Sequence, residues 1–237
     1  MNDKMDLRIS GASVMPGGNY HRVSISGSGK IKGNVRADSF RCSGAAEVEG
    51  DVETGELSCS GACKLKGNIR AQEIEISGAL KVQAGVWSEN MHSAGGLKIG
   101  TSLHGSQIRV AGGLSVGENV EAENLHVSGE IRIPGLLNAE EIVLQISGKS
   151  QISEIGCSEI KVKQEHSGKL LFGFINKPSA VLEVEIIEGD RIELAATHAK
   201  IVRGADVVLE PDCRIERVEY TGTLTAQEGT VGEAVKI

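Results

Sequence analysis

ISGSGKIKGNV (25–35), CSGAAEVEGDV (42–52) and CSGACKLKGNI (59–69) are one phrase written three times, with seventeen residues from each start to the next. Counting Ser26 as position 1 of a 17-residue unit, position 2 is Gly27, Gly44, Gly61, Gly78, Gly95, Gly112 and Gly129. Position 1 is always small, Ser or Ala. Position 6 reads Ile31, Val48, Leu65, Val82, Ile99, Val116 and Ile133, and position 10 reads Val35, Val52, Ile69, Val86, Leu103, Val120 and Leu137. Positions 15 and 17 are mostly apolar, and position 4 grows from Gly29 through Ala46 and Cys63 to Leu80. A fixed internal period of this kind is the signature of a repeat architecture, in which each unit hides its apolar face only by stacking on the next.

The spacing within the unit selects strands. Positions 4 and 6, and again 15 and 17, lie two apart, the period of a strand with one buried face. Position 10 stands on a third short strand. Gly33-Asn34, Gly50-Asp51 and Gly67-Asn68 fall between them, and such dipeptides suit corners that need a positive φ. The expected fold is all-β: a parallel β-helix, or solenoid, with coils of about 17 residues. Ser10-Gly11 marks an earlier coil and Ser147-Gly148 a later one, with slack looped over Pro134 to Asn138. After about residue 165 the register is lost. The expected division is therefore a regular β-helix over 7–165 and, over 166–237, an irregular continuation or a small β extension.

Charges keep the same clock. Positions 5, 7 and 11 are Lys30, Lys32 and Arg36 on one coil, Glu47, Glu49 and Glu53 on the next, then Lys64, Lys66 and Arg70. Stacked neighbours thus alternate in sign, which favours the intended register and places like charges together after a one-coil slip.

Composition narrows the function classes. Net charge is −7 over 237 residues, with 3% aromatics, 31 Gly and 4 Pro. An acidic balance argues against nucleic acid as a partner. The start, MNDKMDLRIS, lacks the apolar run of a signal peptide, and no stretch approaches the roughly 20 apolar residues of a membrane helix. Five Cys without a secretory context read as reduced thiols. No membrane insertion is expected.

Catalytic motifs are missing. GSGK at 27–30 has Ser24 where a phosphate loop needs Gly, and Ile31 where it needs Ser or Thr. Cys42, Cys59 and Cys63 point inward on the coil and read as small core hydrophobes, with a metal or redox site as the less favoured alternative. The six His make no ligand spacing, and GLSVG (113–117), which has the GxSxG letters, falls inside the 17-residue repeat, so no nucleophile elbow surrounds a Ser. The expectation is no enzyme, no cofactor and no metal. Hexapeptide acyltransferases also stack short coils, and VRGADVVLEPDCRI has their flavour, but their inward residues recur every six in coils of eighteen. A left-handed β-helix acyltransferase is the less favoured enzyme reading.

The serial Ser-Gly coil with V-x-G-[DN]-[VI] corners, carried by the three quoted phrases and by ISGALKV (76–82) and VSGEIRI (127–133), resembles the bactofilin family of polymer-forming bacterial cytoskeletal proteins. The resemblance implies a right-handed β-helix, nucleotide-independent filaments and a cytoplasmic scaffold that reaches the membrane through partners and organises cell shape, envelope synthesis or motility machinery. It also implies partners of two kinds, a second copy of the chain or a homologous bactofilin. A non-polymerising adaptor that pairs with a homologous scaffold is the alternative. A β-helix ends in unpaired strand edges that seek partners. Leu7 and Ile9 on the first coil, and Phe172 and Phe174 in LLFGFI, are the candidate self-association residues, and a charge at Ile9 is expected to shorten the assembly.

Overall fold

The computed structural model describes residues 4–164 and 180–237, and every regular element among them is a β-strand. The chain divides into two compact units, Met1–Glu118 and Asn119–Ile237.

The first unit holds β1 (Met5–Ile9), β2 (Ala12–Ile25), β3 (Ser28–Cys42), β4 (Ala45–Val48), β5 (Val52–Cys59), β6 (Ala62–Leu65), β7 (Ile69–Ile76), β8 (Ala79–Val82), β9 (Val86–Ser93), β10 (Gly96–Ile99) and β11 (Leu103–Val116). All pairings within it are parallel, and they stack the repeat in register. Val35 faces Val52, Val52 faces Ile69, Ile69 faces Val86 and Val86 faces Leu103. The shorter strands run Ala46 to Cys63 to Leu80 to Leu97 to Leu114. This is a parallel β-solenoid with 17-residue coils, as the phrase spacing predicts. Positions 4, 6, 10, 15 and 17 are buried on successive coils and form its core.

Two local readings change. Position 10 does not stand alone: Ala37, Thr54 and Ser88 at position 12 are also buried, so β5 and β9 alternate inward before a bend reverses their phase. The bend is closed by those small side chains, since the Thr54 hydroxyl donates to the Glu56 carbonyl at 3.0 Å and that of Ser88 to the Asn90 carbonyl at 2.8 Å. The second change concerns the corners. Of the corner glycines 33, 50 and 67, Gly33 alone has a positive φ, of 99°. Gly50 is required by close approach instead, because a Cβ there would lie 2.3 Å from Asn34 Oδ1 and 2.5 Å from the Gly33 carbonyl carbon. That neighbouring side chain has a task of its own. Asn34 Oδ1 accepts the Asp51 N–H at 2.9 Å, Asp51 Oδ1 accepts the Asn68 N–H at 2.7 Å, and Asn68 Oδ1 accepts the Gly85 N–H at 3.1 Å. The Asn/Asp column is a hydrogen-bonded ladder that satisfies one corner amide per coil.

The Ser-Gly corners are tighter still. The Gly61 Cβ position lies 1.9 Å from the Gly44 carbonyl oxygen, and that of Gly78 lies 2.0 Å from the Gly61 oxygen. No side chain fits where each coil rests on the backbone of the one before.

The alternating charges meet as expected. Lys30 reaches Glu47 at 3.3 Å and Glu49 at 2.9 Å, Lys66 reaches the same two at 3.5 and 3.2 Å, and Arg36 reaches Glu53 at 2.8 Å. Arg70 lies instead 5.0 Å over the Trp87 ring, which stacks on His104 with centroids 5.4 Å apart. Hydrogen bonds from Lys30 and then Lys66 hold the Glu49 carboxyl below its ordinary value of 4.5, and Lys30 does the same for Glu47. A depressed carboxylate stabilises the fold above its unfolded pKa and loses that contribution as the pH falls through its folded value. The thermal midpoint at low salt should therefore begin to drop below about pH 4.5. Glu49→Lys, which places a third cation between Lys30 and Lys66, should lower the midpoint at neutral pH and remove much of that acid sensitivity, with the difference shrinking in high salt.

The second unit holds β12 (Val120–Ile146), β13 (Lys149–Gln164), β14 (Val181–Leu194), β15 (Thr197–Leu209), β16 (Arg214–Ala226) and β17 (Val231–Lys236). Each strand pairs in parallel with the next, so the described part of this unit is also a solenoid. Its coils are less uniform: Leu182 faces Thr197, fifteen residues on, while Asp206 faces Thr223, seventeen on. The loop expected over Pro134 to Asn138 is instead a bulge within β12. The register slips by one residue between Ile133 and Leu136, and the Pro134 carbonyl accepts the Ser153 hydroxyl at 2.7 Å. The slack is absorbed because the side chains flanking the slip, Ile133 and Leu137, both stay in the core.

Candidate self-association site

A strand at the end of a solenoid has one neighbour, and its other side presents unpaired N–H and C=O groups. Among the described residues β1 pairs with β2 alone. The Ile9 carbonyl accepts the N–H of Ser26 at 2.9 Å and of Gly27 at 3.3 Å, so Ile9 turns its backbone toward the second coil. In a parallel ladder successive residues face opposite neighbours, which turns the Arg8 N–H and C=O to the open side. Leu7 pairs with Val23 and Ile9 with Ile25, and the register shifts by one residue between Leu7 and Met5, which pairs with Tyr20.

Both sequence-derived candidates on this strand point inward. Leu7 is 5% exposed and Ile9 3% exposed. Both side chains fill the core beneath the edge, so Asp at Ile9 would damage the coil as well as any joint. Phe172 and Phe174 lie outside the described residues. The apolar surface that periodicity did not signal is Met5, 74% exposed on β1, and Val14, 58% exposed on β2. Composition gave the only hint of them, since each is a large apolar residue outside the repeating inward positions.

Polar groups pin the same coils. Lys4 Nζ lies 2.7 Å from Asp38 Oδ1, and His21 Nδ1 lies 2.7 Å from Asp38 Oδ2. Bonds from Lys4 and then His21 hold the Asp38 carboxyl below its usual range. These contacts tie the segment before β1 to β2 and β3, so the first coil is fastened on its outer face while its edge stays open.

A second feature lies inside the unit. The sulfurs of Cys42, Cys59 and Cys63 all lie within 4.8 Å of one another, and all three residues are buried. Cys42 and Cys59 are register partners on β3 and β5, and Cys63 follows the corner on β6. Periodicity placed each of them inward but did not indicate that positions 17 and 4 converge across the Ser-Gly corner.

In the second unit β17 pairs with β16 and is its other described edge. No helix among the described residues is long and apolar enough to cross a membrane.

Comparison with known proteins fits this geometry. The chain is 45% identical over 95 residues to the uncharacterized protein YhbE of Bacillus subtilis (strain 168), covering 40% of this chain and 39% of that one. It is 40% identical over 87 residues to the uncharacterized protein YhbF of the same strain, covering 36% of this chain and 34% of that one. The matches thus span well under half the length of either curated relative. No solved structure matches significantly. Residues 1–86, which include the first coil and the regular Ser-Gly coils stacked on it, match the family Bactofilin, described as polymer-forming cytoskeletal.

Proposed function

We propose that the chain is a nucleotide-independent, self-assembling scaffold whose N-terminal coil adds to a second solenoid edge to edge. The observation that carries this reading is the unpaired side of β1, lying within the family-matched segment beside the exposed Met5 and Val14. Strand addition supplies main-chain hydrogen bonds, and apolar side chains next to the edge supply the area they need. The scaffold works in the cytoplasm and meets the envelope through partners on its flanks, serving shape, envelope synthesis or motility. It is read as a structural protein and not as an enzyme. Negative-stain microscopy of the full chain without nucleotide, paired with sedimentation across salt, tests it. Long thin filaments are expected; a monodisperse single chain at every salt concentration would overturn self-assembly.

One observation favours a second reading. The chain matches two different proteins of one strain, YhbE and YhbF. A joint between unlike chains would use the same edge, and this chain would then act as an adaptor on a homologous scaffold. Mixed filaments that form only with a homologue added would select it.

A further inference from the structure

The three buried thiols of the first unit have a geometry that core filling does not require. Their register neighbours on the same inward columns are Ile25, Ala46, Ile76 and Leu80, which make an apolar wall. The sulfurs find backbone oxygens only at the rim: Cys42 Sγ lies 3.5 Å from the Gly44 carbonyl, and Cys59 Sγ lies 3.5 Å from that of Gly61 and 3.7 Å from that of Ala79. The metal-ligating side chains gathered here are three cysteines, with no His, Asp or Glu among them.

We propose that Cys42, Cys59 and Cys63 form an all-sulfur site for one soft monovalent cation, Cu(I). Thiolates select soft ions such as Cu(I) and zinc. Structural zinc is held by four ligands in a tetrahedron, and the cluster supplies three. Metal–sulfur bonds of about 2.3 Å in a plane set three sulfurs about 4 Å apart, so sulfurs already within 4.8 Å need to close by less than about 1 Å. Charge points the same way: a monovalent ion brings the smaller charge into an apolar lumen, where each uncompensated charge is costly.

The test uses the full chain, reduced and anaerobic, titrated with Cu(I) against the chelator bathocuproine disulfonate. One copper per chain should leave the chelator, with a near-ultraviolet sulfur-to-copper band and a higher thermal midpoint. Cys42→Ala and Cys63→Ala should each abolish stoichiometric uptake, while a Cys157→Ser/Cys213→Ala double variant should keep it. Wild-type protein that leaves all copper on the chelator would overturn the site, as would uptake unchanged in Cys42→Ala, or displacement of bound Cu(I) by equimolar Zn(II). If the alanine variants do not fold, X-ray absorption of copper-loaded wild type decides. Three sulfurs at about 2.3 Å support the site; a shell of nitrogen or oxygen refutes it.

Discussion

Gly61→Ala should cost about 3 kcal/mol or more of folding stability, while Gly96→Ala should stay within about 0.5 kcal/mol. Both glycines belong to the same stacked coils, yet their surroundings differ completely. A Cβ on Gly61 would lie 1.9 Å from the Gly44 carbonyl oxygen, and one on Gly96 meets nothing within 4 Å. The Gly44 oxygen cannot simply retreat, because it accepts the Ala62 N–H at 2.9 Å. Relief of the clash requires the coils to part at the corner, which stretches that bond and the ladders on either side. Denaturant midpoints of the two variants, read with their slopes, measure the difference. Equal midpoints would mean that the corner spacing yields easily, and that the seven-fold glycine column reflects something other than contact between coils.

The second large effect is expected on assembly. Arg8→Pro should convert filaments to single chains in sedimentation while leaving the circular dichroism of the fold intact. Proline removes the N–H that faces the open side of β1, and such a position on an edge strand tolerates it. The Ile9 carbonyl, which binds the second coil, is untouched. The lost side chain gives up little, because Arg8 is exposed and its ion pair with Asp6 at 3.3 Å is a surface contact. Met5→Asp should weaken assembly in the same direction through the neighbouring apolar surface. Filaments of normal length from Arg8→Pro would exclude the N-terminal edge as the joint and move the search to β17.

Much of this architecture is legible in the sequence, because side-chain direction in a strand has a period of two and the coil has a period of seventeen. Those two numbers placed Ile31, Val35, Phe40 and Cys42 in the core and predicted the pairing of Lys30 with Glu47. Periodicity states which face a residue occupies, but not which inward side chains meet. That is why Cys63 looked like one more core position when it touches the two cysteines across the corner. It also cannot tell a glycine kept for its φ from one kept for its missing Cβ; Gly33 is the first kind and Gly50 the second. The polar residues at position 12 were missed because Thr and Ser usually mark the outside, and here a bend gives their hydroxyls local carbonyls. For the proposed self-association site, periodicity marked β1 as a coil strand but not which of its groups are exposed. Leu7 and Ile9 are the residues that build the edge, and the groups that face outward from it are the backbone of Arg8 and the side chain of Met5.

The constant register of the coils from β3 to β11 has a consequence for how such a chain is made. Its strands find partners about one coil away in sequence, and that separation stays the same however many coils are added. Relative contact order therefore falls as the solenoid lengthens, the opposite of what a β-sandwich faces. A nascent chain can lay each coil on the last as it leaves the ribosome, with the completed coil as template. Among the described residues, the coil that begins at β1 has no earlier coil to serve as its template. Elongation within one molecule and addition of one molecule to another then become the same reaction, distinguished only by whether the next strand is covalently attached.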